Sequence, residues 1–263
     1  MMIDEEWGGK LKLAANMSML YAHLPVHERP SAAAHDGFRY VESWWPFDES
    51  VPPEHELASF CDRLREADVE LVLLNLDGGD ASKGDRGLLS HPRFGDHIDG
   101  HIQSVCTVLA RTGCRIVNAL FGNRVDGIRW SAQESAGLRR LTQVADSVAG
   151  SQATVVIETL NATDSPNFPF TDIADTARFV RLAREHSAAG NVGLLVDTYH
   201  LAVQGVDPAA ALQTHSSMVK HVQFADHPGR GRPGTGLLDF AEIAGTLADT
   251  GYEGFVGLEF VRR

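Results

Sequence analysis

Residues 193–198 read GLLVDT, a run of strand length that stays apolar until it closes on Asp197. The same grammar recurs at TVVIET (154–159), which closes on Glu158, at KHVQFA (220–225), which carries Gln223, and at FVGLEF (255–260), which carries Glu259. Four earlier segments match them in length and character: LKLAAN (11–16), FRYVES (38–43), LVLLNL (71–76) and RIVNAL (115–120), for eight in all. Near-continuous hydrophobicity, rather than strict alternation, suits strands buried on both faces of a parallel sheet. Between them, Leu57, Phe60 and Leu64 recur at helical spacing, as do Ile102, Val105, Cys106 and Leu109, and Leu138, Leu141, Val144 and Val148. Further helical patterns cover about 172–187 and 239–250, with Asp172 and Asp239 placed as N-cap carboxylates and Gly113, Gly190 and Gly251 as helix stops. Strand and helix alternating eight times predicts an α/β fold of (β/α)8 type, one domain spanning residues 1–263. The sequence stops at Arg263, three residues past the eighth run, so the helix that would cover the seam between strands eight and one is expected to be absent or truncated. The N-terminal segment, a crossing loop or a second subunit would then cover that surface, and a homo-oligomer is the expectation.

With 43% hydrophobic and 22% charged residues, the composition is that of a globular chain with a full core. A formal charge of −12 works against phosphate backbones and anionic lipids, so neither nucleic acid nor membrane is an expected partner, and a small-molecule substrate is. Cys61, Cys106 and Cys114 are too few and too scattered for a disulfide framework or a thiolate zinc site and are expected to be inert core thiols. The opening MMIDEEWGGK has no apolar stretch of signal-peptide length, and no run approaches membrane-spanning length, so the expected location is the cytoplasm.

In a parallel barrel all strand C-termini open on one face, so Glu158, Asp197, Gln223 and Glu259 would converge despite steps of 39, 26 and 36 residues between them. Three carboxylates and an amide, with no thiolate, suit a hard divalent metal, Mg²⁺ or Mn²⁺, and clustered carboxylates need such a cation to offset their repulsion. Such a set fits isomerisation of a 2-hydroxy carbonyl compound. Two carboxylates flanking the substrate can move a proton between neighbouring carbons by way of a cis-enediolate, while a cation holds the two oxygens cis and stabilises the developing charge.

The chain resembles the xylose-isomerase-like TIM barrels, and within them the hydroxypyruvate isomerases. The matching segments are AANMSMLY (14–21), DGFRYVESWWPFD (36–48), GDRGLL (84–89), VIETLN (156–161), VDTYH (196–200), HVQFADHPGRGRPGTG (221–236) and GYEGFVGLEF (251–260). The resemblance implies that Glu158, Asp197, Gln223 and Glu259 bind the metal and that Glu158 and Glu259 also act as catalytic acid and base. It places His200 against a substrate oxygen and Arg230 in the strand-seven loop, where a guanidinium can neutralise a substrate carboxylate or the enediolate. Arg86 of GDRGLL is a second candidate for the carboxylate, and Glu42, at the end of strand two, either meets the substrate or serves a structural hydrogen bond. The implied reaction is hydroxypyruvate ⇌ tartronate semialdehyde.

Two charges depart from that pattern. Many hydroxypyruvate isomerases read roughly GRxEPGTGE in the loop, whereas here Arg232 precedes the proline and Leu237 follows the last glycine. The metal set is untouched, so the alternatives that remain are mostly of substrate: a 2-oxo-tetronate isomerase or a ketose 3-epimerase. A non-catalytic scaffold barrel and an endonuclease IV-like enzyme are further readings, the latter needing more histidine ligands and a basic face. His97 and His101 sit four apart on a helix without a HExxH glutamate, GRGRPGTG lacks the lysine of a phosphate loop, and Trp44 and Trp45 are placed to wall the pocket or simply to pack.

Overall fold

The computed structural model describes residues 11–95 and 97–262. Eight parallel strands close into a barrel in chain order: β1 (Lys12–Asn16), β2 (Tyr40–Ser43), β3 (Glu70–Asn75), β4 (Ile116–Asn118), β5 (Thr154–Glu158), β6 (Val192–Asp197), β7 (Val219–Phe224) and β8 (Phe255–Leu258). β8 pairs back on β1, with Leu13 opposite Val256 and Ala15 opposite Leu258, so the sheet has no free edge. Every apolar run read as a strand is one, with ends displaced by at most two residues.

The helices are α1 (Met17–Leu20), α2 (Arg29–His35), α3 (Glu54–Glu66), α4 (Ile98–Thr112), α5 (Trp130–Val148), α6 (Ile173–His186), α7 (Thr198–Val203), α8 (Pro208–His215) and α9 (Phe240–Asp249). Their apolar stripes face the barrel: Leu57, Phe60 and Leu64 on α3, Ile102, Val105 and Leu109 on α4, and Leu141, Val144 and Val148 on α5 are all buried. Asp172 accepts the Ala174 N–H at 2.7 Å and Asp239 those of Ala241 and Glu242 at 3.0 Å, which starts α6 and α9 where the caps predict. The short helices α1, α2, α7 and α8 were not read from sequence, because one or two turns are too short to display a 3.6-residue period.

Alternate residues of a strand share a face, so a side chain two positions before each strand end lies one level deeper inside the barrel. On the β3–β6 side that level is apolar: Leu73, Val156 and Leu195 form a cluster separate from the main core, with Ile116 packed against it. On the opposite side it is polar, and His221 of β7 meets the carboxylate of Glu42 there. Gly257 of β8 makes this possible. A Cβ at that position would lie 2.0 Å from Glu42 Oε1, so the strand can pass the carboxylate only without a side chain.

Among the described residues no helix follows β8. The chain instead crosses the strand-seven loop, where the Val261 N–H donates to the Arg230 carbonyl at 2.8 Å, and reaches Asp36 just beyond α2, which Arg262 pairs while lying 4.7 Å over the Tyr21 ring. The N-terminal segment, including MMIDEEWGGK, lies outside the described residues. Cys61 and Cys114 are buried, Cys106 is partly so, and all three are free; burial pushes the Cys61 thiol up to about 11 and that of Cys114 to about 12, so they carry no thiolate at neutral pH. Among the described residues no helix is long and apolar enough to cross a membrane.

Candidate active site

At the C-terminal mouth of the barrel every strand presents an amide or a carboxylate: Asn16, Glu42, Asn75, Asn118, Glu158, Asp197, Gln223 and, one residue past β8, Glu259. The carboxylates Glu158, Asp197 and Glu259 gather on the β5–β8 half, while β1, β3 and β4 contribute asparagines. Above this ring lies a cavity of about 850 Å³, lined by Glu158, Glu259, His200, Arg230, Arg86 and Trp44 among others.

Glu158 Oε2 accepts the Asn118 amide at 2.9 Å. Burial, reinforced by the charges of Glu259 and Asp197, raises the Glu158 carboxyl well above the ordinary range. Glu259 Oε1 accepts the Trp44 indole N–H at 2.9 Å and the Asn16 amide at 3.2 Å. Burial pushes Glu259 up to about 8, against the pull of Arg230 in the other direction. Asp197 caps α7, its Oδ1 accepting the backbone N–H groups of Tyr199 at 2.7 Å and His200 at 3.2 Å, which leaves Oδ2 for Arg230. Arg230 bridges Asp197 Oδ2 at 3.1 Å and Glu259 Oε2 at 2.7 Å, from a residue whose backbone is left-handed (φ +52°). One guanidinium therefore stands among three buried carboxylates.

Gln223 completes the group. Its Nε2 donates to Glu42 Oε2 at 2.9 Å, while its Oε1 is buried with no hydrogen-bond partner. A buried carbonyl oxygen left without a donor is unfavourable by about 1–3 kcal/mol. On β7, between the strands that lead to Asp197 and Glu259, it is the kind of group that a cation would satisfy. The residues present thus fit a hard divalent cation, with Glu158, Asp197, Gln223 and Glu259 as its oxygen donors. One oxygen each of Glu158 and Asp197 and a ring nitrogen of His200 also lie within 4.8 Å of one another. The Asn161 N–H, however, donates to His200 Nδ1 at 3.1 Å, which fixes the neutral tautomer with its hydrogen on Nε2, and Nε2 stands 3.8 Å from Glu158 and 4.0 Å from Asp197. Burial lowers the imidazole to about 4, so at neutral pH His200 offers a donor to the cavity rather than a lone pair to a metal.

The other anticipated residues separate by level. Arg86 lines the cavity, its guanidinium braced by Ser165 Oγ at 3.1 Å and the Asp85 carbonyl at 2.8 Å. Glu42 is fully buried beneath the cavity floor, where Asn16 (3.2 Å), Gln223 and His221 all address its carboxylate. Of its two readings the structural one matches this placement: Glu42 accepts the Gln223 Nε2–H and so holds that amide. Trp44 donates to Glu259, whereas Trp45 packs on Phe47 and His101. His101 is a core residue, its Nε2 accepting the Asp77 N–H at 3.2 Å. Sequence reasoning passed over Asn16, Asn75 and Asn118, although each ends its strand segment as the acidic residues do. The signal was the shared position.

Residues 30–263 match the family model described as xylose isomerase-like TIM barrel. The chain is 38% identical over 252 residues to a Streptomyces coelicolor protein named "Putative hydroxypyruvate isomerase", covering 93% of this chain and 88% of that one. It is 30% identical over 254 residues to a 2-oxo-tetronate isomerase of Cupriavidus necator, covering 95% and 92%. Among solved structures, one described as an AP endonuclease, family 2, from Brucella melitensis superposes with a TM-score of 0.85 at 25% identity, over 96% of this chain and 94% of that one. With a closed eight-stranded barrel, a mouth of convergent carboxylates and these relatives, the chain belongs to the xylose isomerase-like TIM barrel family and is an isomerase within it.

Proposed function

We propose that the protein is a divalent-metal-dependent isomerase that interconverts a small hydroxy-oxo acid pair, hydroxypyruvate and tartronate semialdehyde, through a cis-enediolate. The observation that carries this reading is the gathering of three buried carboxylates, Glu158, Asp197 and Glu259, around the guanidinium of Arg230, with an unpartnered Gln223 oxygen on the strand between β6 and β8. Glu158, Asp197, Gln223 and Glu259 would hold Mg²⁺ or Mn²⁺. When bound, the cation keeps the carboxylates ionised and supplies Lewis-acid stabilisation of charge developing on the substrate oxygens. Glu158 and Glu259 stand on β5 and at the end of β8, so a substrate lying between them has one carboxylate to remove the proton and another to return it to the neighbouring carbon. His200 donates through Nε2–H to a substrate oxygen. Arg230 screens the negative charge of the intermediate, and Arg86 faces the acid group. Trp44 covers the Glu259 side of the cavity and limits access of water to the intermediate.

The Cupriavidus necator relative and a cavity of about 850 Å³, roomy for a three-carbon acid, keep 2-oxo-tetronate isomerisation as a second reading. An endonuclease role fits less well, since the donor set is dominated by oxygen and the chain carries a formal charge of −12. Proton NMR in D₂O separates these readings. Hydroxypyruvate should lose its carbon-bound protons to solvent exchange in the presence of enzyme and Mn²⁺ or Mg²⁺, and retain them when a chelator is added. Exchange confined to a four-carbon oxo acid would select the second reading; exchange with neither compound would refute both.

A further inference from the structure

The loop after β5 carries a chain of hydrogen bonds that none of the roles above uses. Asn161, three residues past the end of β5, is fully buried beside His200 and does not line the cavity. Its amide meets Asp164 twice: Oδ1 accepts the Asp164 backbone N–H at 2.7 Å, and Nδ2 donates to Asp164 Oδ2 at 2.9 Å. Both contacts run one way, since a backbone N–H can only donate and an ionised carboxylate can only accept. A flipped amide would set oxygen against carboxylate and N–H against N–H. The orientation of Asn161 is therefore dictated by Asp164, which is itself pinned from the first turn of α7 by the Tyr199 hydroxyl, donating to the same Oδ2 at 2.9 Å.

With one Nδ2 hydrogen engaged by Asp164, the other is left for His200 Nδ1, 2.8 Å away, where the Asn161 backbone N–H also arrives at 3.1 Å. Two donors converge on one ring nitrogen. Nδ1 must then be the bare, accepting nitrogen, and the ring hydrogen sits on Nε2, the atom that stands 3.8 Å from Glu158 and 4.0 Å from Asp197. Because Asn161 does not line the cavity, it can act on a substrate only through this ring.

Resting on the isomerase reading above, we infer that Asn161 is a positioning residue for the reaction: oriented by Asp164, it keeps His200 in the form that offers Nε2–H to a substrate oxygen.

Nitrogen-15 NMR of the histidine rings tests this without turnover. In labelled, Mg²⁺-loaded parent protein near neutral pH, long-range proton–nitrogen correlations should place the His200 hydrogen on Nε2 and none on Nδ1. In Asn161→Asp a carboxylate oxygen replaces the donor, and Nδ1 should carry a hydrogen. If that variant fails to fold, Asn161→Ala should keep the hydrogen on Nε2 while Nδ1 moves downfield, as an accepting ring nitrogen does when it loses a donor. Turnover supplies a second check. Asn161→Ala should lower kcat/KM about tenfold in the parent background and less than about twofold in His200→Phe, where the ring it acts through is gone. A hydrogen on Nδ1 in the parent, a bare Nδ1 in Asn161→Asp or an unmoved Nδ1 in Asn161→Ala would overturn the inference. So would equal losses of kcat/KM in the two backgrounds. If the ring behaves as expected while hydroxypyruvate shows no exchange, the positioning of His200 stands and the proposed reaction falls.

Discussion

Replacing Asn118 with leucine removes an amide of nearly equal volume from beneath Glu158 and should be felt as a loss of metal affinity. Among the described residues Asn118 is the only hydrogen-bond donor to that carboxylate, at 2.9 Å, while His200 Nε2 stands 3.8 Å away. A hydrogen bond to a buried charged group contributes about 1.5–3 kcal/mol. Its removal should therefore raise the carboxyl still further. Glu158 already sits well above the ordinary range through burial and its anionic neighbours, so at pH 7 the metal must displace a proton held more tightly still. Affinity for Mn²⁺ should therefore fall about 10–100-fold, the range typical when the hydrogen-bond partner of a metal ligand is removed. Calorimetric titration at several pH values measures it, with circular dichroism to confirm the fold. The difference should narrow as pH rises, because deprotonation then becomes less costly. An Asn118→Leu protein that binds Mn²⁺ within twofold of the parent at every pH would refute the idea that Asn118 holds Glu158 in its ionised form.

Mn²⁺ affinity of the parent should itself strengthen as pH rises from 6 to 8, the window in which Glu259, raised by burial to about 8, gives up its proton. The sign for stability is opposite. A carboxyl whose folded pKa exceeds its unfolded value makes the metal-free fold progressively less stable from about pH 4.5 up to about 8, and melting curves with and without chelator should diverge most at the alkaline end. Gln223→Leu removes the unpartnered oxygen and should weaken Mn²⁺ binding, while loss of the Nε2 donor to Glu42 lowers the stability of the metal-free protein; unchanged Mn²⁺ affinity in the folded variant would exclude Gln223 as a ligand. His200→Phe should lower kcat/KM for the accepted substrate by about tenfold or more, without shifting its pH profile between 6 and 9, since the imidazole titrates near 4. A shifted profile would mean that His200 transfers a proton.

Legibility in the sequence followed the strength of each physical signal. Every barrel strand could be read because parallel strands covered on both sides must be apolar throughout, and α3 to α6 and α9 because three or more turns display a helical stripe. The position of Asp197 at a strand end was visible in GLLVDT, but its second task, capping α7 through Oδ1, was not, because a six-residue helix leaves no periodic trace. The placement of Glu42 below the cavity floor could not be read either. It depends on a register shift between Val41 and Glu42 where β2 meets β3, and on the missing side chain at Gly257, both features of neighbouring strands. Arg230 could be assigned to the strand-seven loop, while its bridging of Asp197 and Glu259 required the left-handed turn and the Asp226 carboxylate that gathers the loop by accepting the Gly236 N–H at 2.7 Å and the Leu238 N–H at 3.1 Å.

The bare position at Gly257 ties the chemistry of the mouth to a point one level below it, two residues before Glu259. A methyl group there would overlap the Glu42 carboxylate. Displacing Glu42 would in turn release the Gln223 and Asn16 amides together. Redesign of this protein for a new substrate therefore has to treat the second and eighth strands as a single inherited unit, since even alanine at one of them would unseat the charge carried by the other.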